Sequence, residues 1–225
     1  MSLKFKLLFL FIALAVIPLT VAGLFSYQRA KDELIQETVN KLVAVADLQE
    51  KRVNEVLDDY LDQVRIISSL TDLKLLLDRY NSNRDIKSLE QIRIILRNIS
   101  VTLPNIIEVE LYDKNLVMVS STEDDEDVPG HHILDFHRVK GRHLELSEIK
   151  KDASNRIKVV LFGPIISRNE RIGVLEVVAT ADSIVAVTED YAGLGSTGEV
   201  LLAKKNLAGD ALYLTPLRFD AGAAL

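Results

Sequence analysis

From Leu7 to Phe25 nineteen consecutive residues carry no charge, and no later stretch of the chain repeats such a run. As a helix this run is about 28 Å long, against a hydrocarbon core of about 30 Å. The natural reading is one membrane span over residues 7–27, with the rest of the chain working on one side of the bilayer. A cleaved signal peptide is the rival reading. Its apolar core would span only about 7 to 15 residues and end in a small-x-small site. Here the nearest small pair, Ala22 and Gly23, is enclosed within the run, which favours a retained anchor. Lys4 and Lys6 precede the span and Arg29 and Lys31 follow it, so nearby basic residues do not choose an orientation.

The remainder reads as a folding sequence, since 48% of all residues are hydrophobic and the charges are of mixed sign. The formal net charge is −6. Lys4 and Lys6 are the only charges ahead of the span, so the part beyond it is more acidic still. Such a surface repels nucleic acid and anionic lipid. The chain has no Cys, which excludes disulfides, thiolate metal sites, a cysteine nucleophile and a lipoprotein anchor.

From Tyr27 to about Leu70 there is neither Gly nor Pro, and Glu, Gln, Lys, Leu, Ala and Val dominate, a helix-forming composition. Alternate steps of four and three residues pass through Ile35, Val39, Leu42, Ala46, Gln49, Val53, Val56, Tyr60, Gln63, Ile67 and Leu70. Nine of these eleven are apolar, the 3.5-residue seam of a coiled coil or a long packed helix. Beyond Val53 the seam gains Leu57, Leu61 and Val64 and widens into a face. The expectation is a membrane-proximal half that pairs with a second copy, making a homodimer, and a distal half that docks on its own domain. A single amphipathic helix packed only within its own chain is the plainer alternative.

Thr71-Asp72 reads as a helix start leading into Leu73 to Tyr80, with Asn81 to Arg84 as a polar loop. A second amphipathic stretch, Ile86 to Val101, ends near Leu103-Pro104, because the residue before a proline disfavours helix. The period then drops to two. Ile107, Val109 and Leu111 alternate with Glu108, Glu110 and Tyr112, the pattern of a half-buried strand. Asp113-Lys114-Asn115 is turn chemistry, and Leu116 to Ser120 returns as a second strand. Further strands are expected at Leu144 to Ile149, Ile157 to Ile166 and Ile172 to Thr180, the last two joined by a polar Ser167 to Arg171 turn. Helices first and strands afterwards predict an α+β fold, an antiparallel five-stranded sheet with helices on one face. Asp182 reads as the cap of a short helix through Asp190. From Gly193 the pattern restarts, with strands at Glu199 to Lys204 and Leu212 to Leu217 around an Asn206 to Asp210 turn. Two strands cannot bury a core of their own, so this piece is expected to be a docked appendage or the start of a second subdomain.

Phe162-Gly163-Pro164-Ile165, Arg171-Ile172-Gly173-Val174-Leu175, the joint Tyr191-Ala192-Gly193-Leu194-Gly195-Ser196-Thr197-Gly198-Glu199 and Leu214-Thr215-Pro216-Leu217-Arg218-Phe219 stand in an order that resembles a known family. It is the extracytoplasmic double Cache (PAS-like) sensor region of bacterial receptors, in particular of membrane-bound sensor histidine kinases. The resemblance implies a cytoplasmic tail at 1–6, a transmembrane helix at 7–27 and a long helix at 28–71. It also implies a membrane-distal Cache subdomain at 72–190 and an incomplete membrane-proximal one at 191–225. Residues 28–225 would then be extracytoplasmic, anchored in the cell (inner) membrane, and would bind a small-molecule ligand. No second span, HAMP-type linker, kinase or cyclase module is expected within these residues. Amino-acid-sensing members resemble one another in an aspartate about five residues after the glycine of the last strand, with an Arg and Trp pair. Here that count from Gly173 reaches Val178, and there is no Trp, so an amine-bearing amino acid is not the expected ligand, and an anionic or neutral metabolite is.

Gly193-Leu194-Gly195-Ser196-Thr197-Gly198 fits the dinucleotide fingerprint, but that motif needs a strand before it and a helix after it. Here a helix precedes and a strand follows, so the glycines read as a flexible joint. All four histidines, His131, His132, His137 and His143, follow the acidic run Glu123 to Asp127 within thirteen residues. Imidazoles and carboxylates suit zinc, nickel or copper, and a solvated loop with locally bonded histidines is the alternative. Arg138, Lys140 and Arg142 lie in the same segment, and Arg suits bidentate carboxylate binding. Tyr112, Arg138, Arg142 and His143 are therefore the candidate ligand contacts. No nucleophile, base and orienter constellation is visible, the strands offer no convergent acids, no cofactor is expected, and the chain is read as a non-enzyme. A structural coiled-coil tether that binds nothing is the alternative from a different class.

Overall fold

In a computed structural model the described residues are 3–123, 144–152, 156–205, 209–220 and 222. They form two compact units, Met1–Leu48 and Gln49–Leu225. Helix α1 runs from Leu3 to Ser69. In the first unit the described side chains other than the half-buried Val45 are exposed, among them the seam residues Ile35, Val39 and Leu42. Its N-terminal part is long and apolar enough to cross a membrane.

In the second unit the widened face behaves as the pattern predicts. Tyr60, Val64 and Ile67 are buried and Val56, Leu57 and Leu61 pack against them, joining one core with the sheet. Helix α2 spans Thr71–Asn83 and α3 Ile86–Thr102. α2 begins after Leu70 with no side-chain cap bond, so Thr71-Asp72 marks the start without capping it. It also runs three residues past the expected end. Asn81 donates Nδ2 to the Ile172 carbonyl at 2.7 Å, and the left-handed turn falls on Arg84 (φ 53°). That helix end is fixed by tertiary contact rather than by local polarity. The α3 start is conventional: Asp85 accepts from the Lys87 and Ser88 backbone N–H groups.

Strands β1 (Ile106–Asp113), β2 (Met118–Ser121), β3 (Glu145–Lys151), β4 (Ile157–Ser167) and β5 (Glu170–Thr180) form one antiparallel sheet in the order β2-β1-β5-β4-β3. The β4–β5 turn is tighter than its polar stretch suggests. Only Arg168 and Asn169 leave the ladder, both at positive φ (48° and 65°), the backbone twist that a two-residue hairpin requires. One face of the sheet packs on α1, α2 and α3 through Val109, Leu111, Val159, Leu161, Leu175 and Val177. Two glycines permit that packing. A Cβ at Gly163 would lie 2.6 Å from Val64 Cγ1 on α1, and one at Gly173 would strike the Tyr112 carbonyl oxygen and lie 2.6 Å from Leu77 Cδ2 on α2.

After β5 comes α4, Asp182–Thr188, whose cap residue is Ala181, not Asp182. At its end Asp190 accepts from Arg52 at 2.6 Å, and the Asp190 carbonyl accepts from Gln49 Nε2 at 3.1 Å, so α1 is tied to the start of the joint. The restart is shorter than expected, a two-stranded ribbon of β6 (Ala203–Lys205) and β7 (Ala211–Tyr213). Leu214, just beyond it, is buried in the main core. Arg218 closes the joint, donating to the Gly195 and Gly198 carbonyls and stacking 4.4 Å from the Tyr191 ring centroid.

Candidate functional site

The sheet face turned away from the helices is built by strand alternation. Its floor is apolar: Tyr112, Val160, Phe162, Val174 and Val178 are buried there with Leu116, and Ile107 and Met118 flank them. Ile107 belongs to this face and not to the helix-packed one that its alternation with Val109 predicts. A register shift between Ile106 and Glu108 turns it over, as a bulge does.

Three carboxylates converge on the same face, which overturns the expectation that the strands offer no convergent acids. Glu110 on β1 pairs across the ladder with Glu176 on β5, and Glu108 lies two residues along β1. Ser121 on β2 donates to Glu108 Oε1 at 3.4 Å. The Tyr112 hydroxyl donates to Glu110 and also reaches Glu176 Oε2 at 3.4 Å. All three carboxyls are partly buried, and burial is the leading cause that raises each above the ordinary range. Glu108 is pushed up to about 7, with Glu110 and Glu123 adding repulsion. Glu110 is raised by burial and by Glu176, against the Tyr112 hydrogen bond. Glu176 is raised by burial, with Lys150 opposing. Burial and the same carboxylates push the Tyr112 hydroxyl up as well, so it stays a neutral donor.

Of the sequence-derived candidates, Tyr112 stands at the centre of this face. Arg138, Arg142 and His143 lie outside the described residues, as do His131, His132 and His137. Among the described residues no group of three or more His, Asp or Glu is arranged to hold a metal ion. Sequence reading missed Glu108, Glu110 and Glu176 as a group. The usable signal was the lone acid Glu176 within the otherwise apolar Ile172 to Ala179 run, which has to face a partner or water.

Chemically the face offers a hydrophobic floor, one neutral hydroxyl donor and three acceptor groups held partly out of water. Such a set receives a small molecule bearing hydrogen-bond donors or a positive charge.

No protein-family model matches the chain, and no curated protein sequence matches it significantly. Solved structures do match. The ligand-binding domain of the Pseudomonas aeruginosa PAO1 amino acid chemoreceptor PctC, in complex with GABA, is 17% identical with a TM-score of 0.60, over 83% of this chain and 76% of that one. The sensor domain of the Vibrio cholerae histidine kinase DctB is 16% identical with a TM-score of 0.55, over 69% of this chain and 60% of that one. The ligand-binding domain of the Campylobacter jejuni chemoreceptor Tlp3, in complex with L-valine, is 14% identical with a TM-score of 0.51, over 70% of this chain and 65% of that one. This chain thus spans about 60% of the DctB sensor domain. The fold is α+β and Cache-like, shared with the sensory domains of histidine kinases and chemoreceptors, as the sequence resemblance implies.

Proposed function

We propose that this chain is the extracytoplasmic ligand-sensing region of a transmembrane receptor of the histidine kinase type, and that its ligand binds the outer face of the five-stranded sheet. The observation that carries this reading is the group Glu110, Tyr112 and Glu176 over an apolar floor, on a fold shared with ligand-binding sensor domains. In this reading residues 7–27 anchor the chain in the cell membrane, 28–71 form the connecting helix, 72–190 the distal Cache subdomain and 191–225 the start of a proximal one. The exposed seam of Ile35, Val39 and Leu42 supports pairing of two such helices as a homodimer.

The ligand class follows from the face. The expectation of an anionic or neutral metabolite rests on Val178, on the lack of Trp and on Arg138 and Arg142, whereas the described face presents acceptors. A protonated amine joined to an apolar or polar body satisfies Glu110 and Glu176 and covers Phe162 and Val174. Ligand binding favours the sheet arrangement that holds the carboxylates together, and the receptor responds only through that difference in affinity. The Arg52–Asp190 tie offers a path by which a shift of the sheet end reaches the long helix.

The test is a thermal-shift screen of the full chain in detergent against amines, amino acids and dicarboxylates. Stabilisation by an amine-bearing compound that is lost in Glu110→Gln and Glu176→Gln and kept in the distant Glu33→Gln is the expected result. Stabilisation by no compound, or by a dicarboxylate with both Gln variants responding normally, overturns the reading.

A further inference from the structure

An open groove runs between α2 and α3, and it lies on a different part of the molecule from the ligand face. Its walls carry Leu75 and Ile94, 52% and 60% exposed, with Ile95 beside them and the buried Leu76 at its base. Asp72 stands at one end and Arg79 at the other. Both are exposed, and among the described residues neither has an ion-pair or hydrogen-bond partner. They are seven residues apart on α2, two turns of one helix face and about 10 Å along its axis. Their midpoint falls between Leu75 and Leu76.

That disposition is self-complementary. A two-fold axis lying between two α2 helices, perpendicular to them and level with this midpoint, sets the helices antiparallel. Each Asp72 then meets the Arg79 of the other copy, and the two Leu75 side chains meet at the centre. An isologous contact requires that residue i meet j while j meets i, and an acid and a base on one helix face flanking an apolar centre satisfy it with opposite charges. A partner of unrelated sequence has no use for the symmetry, and a ligand would leave two outward-facing charges unanswered. We infer that the α2–α3 groove is a contact surface for a second copy of this chain, centred on Leu75 and closed by reciprocal Asp72–Arg79 pairs. The four exposed hydrocarbon walls and two ion pairs give the contact register and direction. The inference is independent of any ligand.

The absence of native cysteine makes the test direct. Single-cysteine forms of the full chain in detergent, Leu75→Cys, Lys114→Cys on the exposed β1–β2 turn and Val39→Cys on the long-helix seam, are treated with a short bis-maleimide. Leu75→Cys should be captured as a covalent dimer and Lys114→Cys should not. Adding Asp72→Arg to Leu75→Cys places like charges opposite each other and should lower the yield at least about fivefold, an energy of about 1 kcal/mol. Adding Asp72→Arg and Arg79→Asp together exchanges the charges in each copy and should restore the yield. A local loss of helix stability at the α2 start would not be rescued by that second change. The inference is overturned if Leu75→Cys is captured no better than Lys114→Cys, or if the exchanged pair remains as poor as Asp72→Arg alone. Capture at Val39→Cys without capture at Leu75→Cys likewise overturns it, while leaving pairing through the long helix standing.

Discussion

Glu110 on β1 stands directly across the ladder from Glu176 on β5, and the Tyr112 hydroxyl, which donates to Glu110, lies 3.4 Å from Glu176 Oε2. Like charges opposite each other on neighbouring strands oppose pairing, and here desolvation adds to the repulsion. The native state therefore holds protons on this group more tightly than the unfolded chain does. Glu108, raised from 4.5 to about 7, defines the window. The stabilisation is complete below about pH 4.5 and is lost as pH rises to about 7.

The expected signal is a difference between variant and wild type. Glu108→Gln keeps a neutral side chain at every pH. Its melting temperature should match the wild type near pH 4.5 and exceed it progressively up to about pH 7, levelling off above. A gap that does not change with pH across that window would show that folding does not raise the affinity of Glu108 for its proton.

Asp113 sits on the opposite side of this strand end with 1% of its side chain exposed. It accepts from the Asn115 and Val117 backbone N–H groups at 2.8 and 3.0 Å and from Arg84 Nη2 at 2.9 Å. Asp113→Ala strands two turn donors, and a loss of about 2–4 kcal/mol is expected in thermal or chemical melts. Arg84→Gly should change stability by less than about 1 kcal/mol. It forfeits a half-exposed ion pair, worth little in solvent, and relieves a left-handed residue that costs roughly 1–2 kcal/mol without glycine. Equal losses in the two variants would mean that the ion pair, rather than the turn, holds Asp113 in place.

Much of the fold was legible because it is periodic. The 3.5-residue seam placed Val53, Tyr60 and Ile67 on the buried face of α1, and the period-two runs located all five strands of the sheet. What escaped is non-local. Asn81 to Asn83 read as loop because their polarity favours turns, and the Asn81 bond to Ile172 on β5 is a tertiary contact that helps to keep them helical. Ile107 was assigned to the wrong face because a bulge leaves no mark in composition. The Glu110–Glu176 pairing joins residues 66 positions apart, and no spacing rule sees a register that the whole sheet determines.

Tyr60 tests how firmly the distal half of α1 is seated. Its ring is buried and its hydroxyl donates to the Thr180 carbonyl at 2.9 Å, at the last residue of β5. Tyr60→Phe keeps the ring packing and removes one hydrogen bond, so a loss of about 1 kcal/mol is expected, a drop of roughly 2–4 °C. Tyr60→Ala opens a cavity in the α1–sheet core and should cost about 3–5 kcal/mol. If Tyr60→Phe proves as damaging as Tyr60→Ala, the hydroxyl and not the ring holds the helix on the sheet.

The two strand glycines separate helix docking from sheet integrity. At Gly173 an added methyl meets the Tyr112 backbone and Leu77. Backbone cannot yield without moving β1, so Gly173→Ala should cost at least about 3 kcal/mol, the upper range for overpacking. At Gly163 the same methyl meets only side-chain atoms, Val64 Cγ1 at 2.6 Å and Leu144 Cδ2 at 3.1 Å. That pressure falls on α1, and trimming the obstacle should relieve it. Gly163→Ala alone is expected to lose about 1–3 kcal/mol, and pairing it with Val64→Ala should cost less than the sum of the two single changes, because the added methyl fills part of the space that the valine vacates. The comparison is a double-mutant cycle read by thermal or chemical melts of the full chain in detergent. Strict additivity there, or a Gly173→Ala variant as stable as the wild type, would show that the helices do not rest on the sheet at these two points.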